Sequence, residues 1–253
     1  MNLKPSVCID AVYEGQGSIS AIEQVAQVGI GAFEFWGWWD KDLDQIAAAR
    51  DRYGMQISAC CTKFISLVNP ETRADYLSGL EASIEAAKRL NCQTLISQVG
   101  DAIEGVSRED QRACLVQGLK EAAPMLEAAE VTLVIEPLNE LIDHAGYYLV
   151  HSDEAFQIVD EVASDRVKVV FDIYHQQISE GQLIANITSN IDKIGHFHAA
   201  GNPGRNELTS GELHYPSIFQ AISETGFTGF VGLEYWPKQD IAAGLKEVAG
   251  WFA

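Results

Sequence analysis

Apolar residues along this chain switch between two periods. Short runs in which they are continuous or alternate, as in strands, are separated by longer stretches in which they recur every three or four residues, as on one helix face. The strand-type runs fall near 6–10 (SVCID), 31–36 (GAFEFW), 55–61 (MQISACC), 93–98 (QTLISQ), 131–136 (VTLVIE), 167–172 (VKVVFD), 193–198 (KIGHFH) and 229–235 (GFVGLEY). Helical patterns such as SISAIEQVAQVG and ADYLSGLEASIEAAKRLN lie between them. Ser18 leads the first of these, Ser107 with Asp110 opens another, and Gly29, Gly54 and Gly226 stand where helix C-caps belong. Eight β–α repeats without a linker or low-complexity tract predict a single (β/α)8 TIM barrel, one catalytic domain over residues 1–253. A doubly wound open sheet is the competitor. It expects a Gly-rich first βα turn for a nucleotide, which DAVYEGQGS matches poorly.

A barrel also predicts where function lies, at the C-terminal ends of its strands. Four of the strand-type runs end in side chains that bind metals: Glu136, Asp172, His198 and Glu234. Burying a lone charge at the end of an apolar run is costly, and a shared cation removes that cost. The four are spaced by 36, 26 and 36 residues, each about one βα unit, so successive strands carry them around one rim. Asp, Glu and His make up only about one sixth of the chain, and the competing reading is a set of structural ion pairs inside the barrel. Three carboxylates and an imidazole suit one divalent ion such as Mn2+, Mg2+ or Co2+ better than a structural zinc, which favours sulfur and nitrogen. A metal on a carbonyl and its neighbouring hydroxyl acidifies the C–H between them. One carboxylate then removes that proton, and a second returns it to the adjacent carbon.

Composition narrows the partners. Thirty-six acidic against seventeen basic residues give a formal charge of −19, which repels nucleic-acid backbones and anionic membranes. The N-terminus lacks a basic segment followed by an apolar one, and no apolar run approaches the length of a membrane span, so a cytoplasmic protein is expected. The five cysteines, Cys8, Cys60, Cys61, Cys92 and Cys114, show no zinc-type pairing and read as free thiols, all but Cys114 in apolar contexts. A small-molecule partner remains, a hydroxy-keto acid or ketose, and a homo-oligomer is compatible with the sequence.

At these residues the chain resembles the xylose isomerase-like sugar isomerase/epimerase superfamily, and within it the hydroxypyruvate isomerases. The resemblance rests on FEFWGWWDKDL, VIEPLNELIDHAGYYL, FDIYHQQ, GHFHAAGNPGRNELTSGELHYPSIF and GFVGLEYWP, the specific ones within 131–236. It implies one divalent metal on Glu136, Asp172, His198 and Glu234. It also implies Glu136 and Glu234 as acid/base pair through a cis-enediolate, with His175 and Arg205 binding substrate. The implied reaction converts hydroxypyruvate to tartronate semialdehyde. One departure bears on substrate: the isomerase pattern often has Gln where His198 stands, and His there is more like the ketose 3-epimerases. A ketose 3-epimerase, a 2-oxo-tetronate isomerase and a non-catalytic sugar-binding barrel therefore stay open. An abasic-site endonuclease shares the fold, but needs further histidines in stretches that here read SACCTKF and ISQVGDA.

Several neighbours carry two readings each. Independently of the resemblance, His175 lies just beyond a ligand, placed to bond a substrate oxygen, and Arg205 is placed to clamp a carboxylate. Both are otherwise solvated loop residues. Trp36, Trp38 and Trp39 either wall the pocket against water or pack in the core or an interface. Glu34 is read as an inward support of the site, Lys63 as an added positive charge or a solvated lysine, and His196 as a hydrogen-bonding core residue. His144 and His151 belong to a long loop expected to cover the site or meet a neighbouring subunit.

Overall fold

In the computed structural model, which describes residues 2–252, the apolar runs become eight parallel strands. They are β1 (Lys4–Cys8), β2 (Ala32–Phe35), β3 (Gln56–Cys61), β4 (Thr94–Ser97), β5 (Thr132–Ile135), β6 (Val167–Asp172), β7 (Ile194–Ala199) and β8 (Phe230–Leu233). Each pairs with the next, and β8 returns to pair with β1. Closure removes the edges that the open-sheet alternative would leave. The helices outside are α1 (Ile9–Val12), α2 (Ser18–Gln27), α3 (Leu43–Tyr53), α4 (Arg73–Arg89), α5 (Arg108–Ala129), α6 (Ser152–Val162), α7 (Ile173–Ser179), α8 (Leu183–Ser189), α9 (Tyr215–Glu224) and α10 (Ile241–Ala249). Among the described residues no helix is long and apolar enough to cross a membrane.

Local signals explain most boundaries. Ser107 Oγ accepts from the Asp110 amide at 3.0 Å and donates to the Asp110 carboxylate at 2.7 Å, closing the first turn of α5. Gly54 ends α3 at φ +62°, a conformation that costs a Cβ-bearing residue energy. Ser18 is not a cap: Gly17 holds that position, and Ser18 is the first helical residue. The first strand stops at Cys8 rather than Asp10, because Ile9 and Asp10 turn directly into α1.

Two apolar regions fill the molecule. Phe33, Phe35, Phe171 and Phe197 pack between barrel and helices, while Ala59, Cys61, Ile96, Val134 and Val170 pack together with Trp36. Buried polar groups, Ser6, Glu34, Ser58 and His196, accompany them on β1, β2, β3 and β7. Register sets the rest: Asp172 on β6 lies opposite His198 on β7, and His198 opposite Gly232 on β8. All five cysteines are unpaired, and only Cys114 is not fully buried.

Candidate active site

Asp172 and His198 belong to their strands, while Glu136 and Glu234 follow β5 and β8 by one residue. Consecutive strands thus bring the four together, with one ligand atom of each within 4.8 Å of the others, all four buried. His198 Nδ1 sits 3.2 Å from Glu136 Oε1 and 3.7 Å from Glu234 Oε2. Asp172 divides its oxygens. Oδ1 caps α7 by accepting from the Tyr174 and His175 amides at 2.8 and 3.2 Å, while Oδ2 faces Arg205 and His175.

Three carboxylates this close repel one another, but burial is the larger influence on their titration, and it raises two of the three. Burial, with Glu234 and Asp172 adding to it, pushes the Glu136 carboxyl up despite His198. Burial likewise raises Asp172 against the pull of Arg205 and His198. Burial also opposes the charged form of Glu234, but His198, Arg205 and the Trp36 N–H outweigh it and hold that carboxyl down. Burial disfavours His198 as a cation, yet Glu234 and Glu34 overcome it and raise it well above the usual range. An excess of buried negative charge on an oxygen-rich donor set with one imidazole is the chemistry of a divalent-cation site, and the residues fit such an ion.

Arg205 enters from the loop after β7 at φ +55°. Its guanidinium lies between the Tyr174 and Trp236 rings, 5.2 and 5.0 Å from their centres, and pairs with Glu234 Oε2 at 2.5 Å. His175 is fully buried. Asn139 directs both its backbone amide (3.2 Å) and its side-chain amide (2.7 Å) at Nδ1, so that nitrogen accepts and Nε2 carries the proton. Nε2 has no hydrogen-bond partner and lies 3.6 Å from Asp172 Oδ2. Burial first, and Arg205 second, keep this imidazole neutral, well below its ordinary pKa.

Above Glu136, His198 and Glu234 opens a cavity of about 260 Å³ lined also by Trp36, Cys61, Ile96, Gln98, His144 and Trp236 among others. Of the three tryptophans of the second βα loop only Trp36 walls it, donating to Glu234 Oε1 at 2.7 Å. Trp38 packs against the core and bonds Ser83, and Trp39 is exposed against Phe64. Lys63 is exposed, its ammonium over the Trp38 ring, and adds no charge to the cavity wall. His151 lies outside, exposed, at the start of α6. His144 lines the wall instead, its ring centre 5.3 Å from that of His175, which does not line the cavity itself. Cys61, Gln98 and Trp236 were not singled out from sequence. Inward alternation on β3 was the available signal for Cys61, and position at or just past the end of a strand-type run was the available signal for Gln98 and Trp236.

Residues 22–253 match the family described as xylose isomerase-like TIM barrel. The hydroxypyruvate isomerase of Escherichia coli K12 is 31% identical over 237 residues, covering 90% of this chain and 91% of that protein. A 2-oxo-tetronate isomerase of Cupriavidus necator is 35% identical over 182 residues, 72% of this chain and 68% of that one. Among solved structures, one titled AP endonuclease, family 2, from Brucella melitensis superposes with a TM-score of 0.93 at 26% identity, covering 99% of both chains.

Proposed function

The chain belongs to the xylose isomerase-like TIM barrel family and is a sugar isomerase-type enzyme, and on that premise we propose that it interconverts hydroxypyruvate and tartronate semialdehyde. The observation that carries this reading is the pair Glu136 and Glu234, following strands separated by two others, at the floor of a small cavity whose lining includes Arg205. Apolar Ile96, Leu138, Phe64 and Cys61 offer few partners for the hydroxyls of a five- or six-carbon ketose. That favours a short acid whose carboxylate meets Arg205.

Glu136, Asp172, His198 and Glu234 would hold a divalent ion, Mn2+, Mg2+ or Co2+, and it would supply Lewis-acid polarisation of the substrate carbonyl. The protein's own groups do the rest. One glutamate removes a proton from C3 and the other delivers one to C2, while a hydroxyl proton leaves O3 and one arrives at O2. C3 is thereby oxidised to an aldehyde as C2 is reduced to an alcohol, with no external redox partner. His175, buried behind the cavity wall, keeps its neutral Nε2–H 3.6 Å from Asp172 Oδ2 and orients that carboxylate, and Trp36 shields the enediol from random protonation. An endonuclease role is disfavoured by the charge of −19 and by the lack of histidine in SACCTKF and ISQVGDA, the stretches at the ends of β3 and β4 where added metal ligands would be needed.

The test is proton exchange followed by NMR in D2O with Mn2+-loaded protein. Deuterium entering hydroxypyruvate as tartronate semialdehyde appears, lost in Glu234→Gln, is the expected result. Exchange confined to C3 of fructose or tagatose would replace this reading with ketose 3-epimerisation, which His198 in the GHFH stretch favours. No exchange with any of them would refute both.

A further inference from the structure

His198 is flanked by carboxylates on both ring nitrogens. Nδ1 faces Glu136 and Glu234, whereas Nε2 lies 2.9 Å from Glu34 Oε1, on the side away from the candidate ligand set. Glu34 is itself buried on β2 and lines no part of the cavity. Its other oxygen, Oε2, is 3.0 Å from His196 Nε2 and accepts from Ser58 Oγ at 2.7 Å. Ser58 Oγ in turn meets Ser6 Oγ at 2.5 Å. One carboxylate therefore ties β1 and β3, through the two serines, to both inward histidines of β7.

The backbone makes room for this arrangement. Gly232 lies opposite His198 on β8, and a Cβ there would stand 2.1 Å from Glu34 Oε1 and 2.7 Å from His198 Cδ2. Any side chain at 232 would displace either the carboxylate or the ring. The Glu34–His198 contact is short but not aligned as a hydrogen bond, so Glu34 Oε1 and His198 Nε2 remain buried without an aligned partner. A buried polar pair of this kind is kept only where something else fixes one member, and an ion at Nδ1 would fix the ring.

We propose that Glu34 is a positioning residue of the metal site: it holds the proton of His198 on Nε2, presents Nδ1 as the ligand atom, and locks the ring through His196, Ser58 and Ser6. This rests on the metal reading above. The alternative use of the same atoms, a second ion between Glu34, His196 and His198, is geometrically open because their ligand atoms also lie within 4.8 Å of one another. It is disfavoured because Glu34 Oε2 already has two partners and neither Glu34 nor His196 lines the cavity above the candidate ligand set.

Calorimetric titration with Mn2+ tests it on wild type, Glu34→Gln and Ser58→Ala, with thermal unfolding of the metal-free proteins as the check on folding. The expected result is one Mn2+ per wild-type chain, affinity weakened by about 10- to 100-fold in Glu34→Gln, and by about 2- to 10-fold in Ser58→Ala, which removes only a bond to Glu34. The visible spectrum of the Co2+-loaded Glu34→Gln protein should shift as well, a change that a merely structural role would not produce. If Glu34→Gln does not fold, Ser58→Ala decides. Wild-type affinity and spectrum in the folded variants overturn the positioning role alone. Two Mn2+ per wild-type chain, one of them lost in Glu34→Gln, overturn it in favour of a second ion. No Mn2+ bound by wild type overturns the metal reading and this inference with it.

Discussion

Trp36→Phe separates the two jobs of one side chain. The indole N–H is the hydrogen-bond donor the structure gives Glu234 Oε1, at 2.7 Å, while Arg205 serves Oε2. Phenylalanine keeps most of the apolar wall and deletes the donor, leaving one oxygen of a buried carboxylate unsatisfied. A hydrogen bond to a charged group contributes about 1.5–3 kcal/mol. If the loss falls on the transition state, in which Glu234 must be held in place to move a proton, kcat drops by about 10- to 100-fold. KM should change little, because the bond is made to the enzyme's own carboxylate and not to the substrate. Trp236→Phe is the matched control. It trims the same cavity wall, but its N–H goes to Glu14 at the surface, so kcat should fall by no more than about threefold. Steady-state kinetics with hydroxypyruvate decide. Equal effects of the two substitutions, or a Trp36→Phe enzyme with near wild-type kcat, would refute the argument that this hydrogen bond tunes Glu234.

Three further outcomes are expected. His175→Asn removes the unpartnered Nε2–H, and kcat/KM should fall by about 10- to 100-fold with folding retained, as read by kinetics beside circular dichroism. Phe171→Ala empties a fully buried position between the Phe156 and Phe197 rings and should cost about 3–5 kcal/mol in urea unfolding; a loss under 1 kcal/mol would contradict the packing. Mn2+ at about one hundred times its Kd should stabilise the protein by about 2.7 kcal/mol, reversed by chelator and absent in Asp172→Asn. Unchanged unfolding with and without the ion would argue that these residues hold none.

Much of this protein was determined by its sequence alone. Eight apolar runs at βα spacing can bury their faces together only by closing on themselves, so the barrel followed from periodicity. The rim position of Glu136, Asp172, His198 and Glu234 followed from where those runs end. Side-chain roles in the loops followed only in part: Trp36 ends a strand-type run two residues after inward Glu34 and shares its face, whereas Trp38 and Trp39 lie beyond the run, where alternation says nothing. Whether either of those two faces the cavity depends on how the second βα loop leaves the barrel. His144 reached the wall and Lys63 stayed in solvent for the same kind of reason. Only the tertiary structure decided that Asn139 fixes the tautomer of His175, that Arg205 rests between Tyr174 and Trp236, and that Glu34 lies against His198 over a glycine 198 residues away in sequence. These are contacts between distant segments whose existence turns on register and on a missing Cβ. Strand pattern encodes which face a residue takes, whereas the partner across the barrel is set by how the closed sheet is staggered.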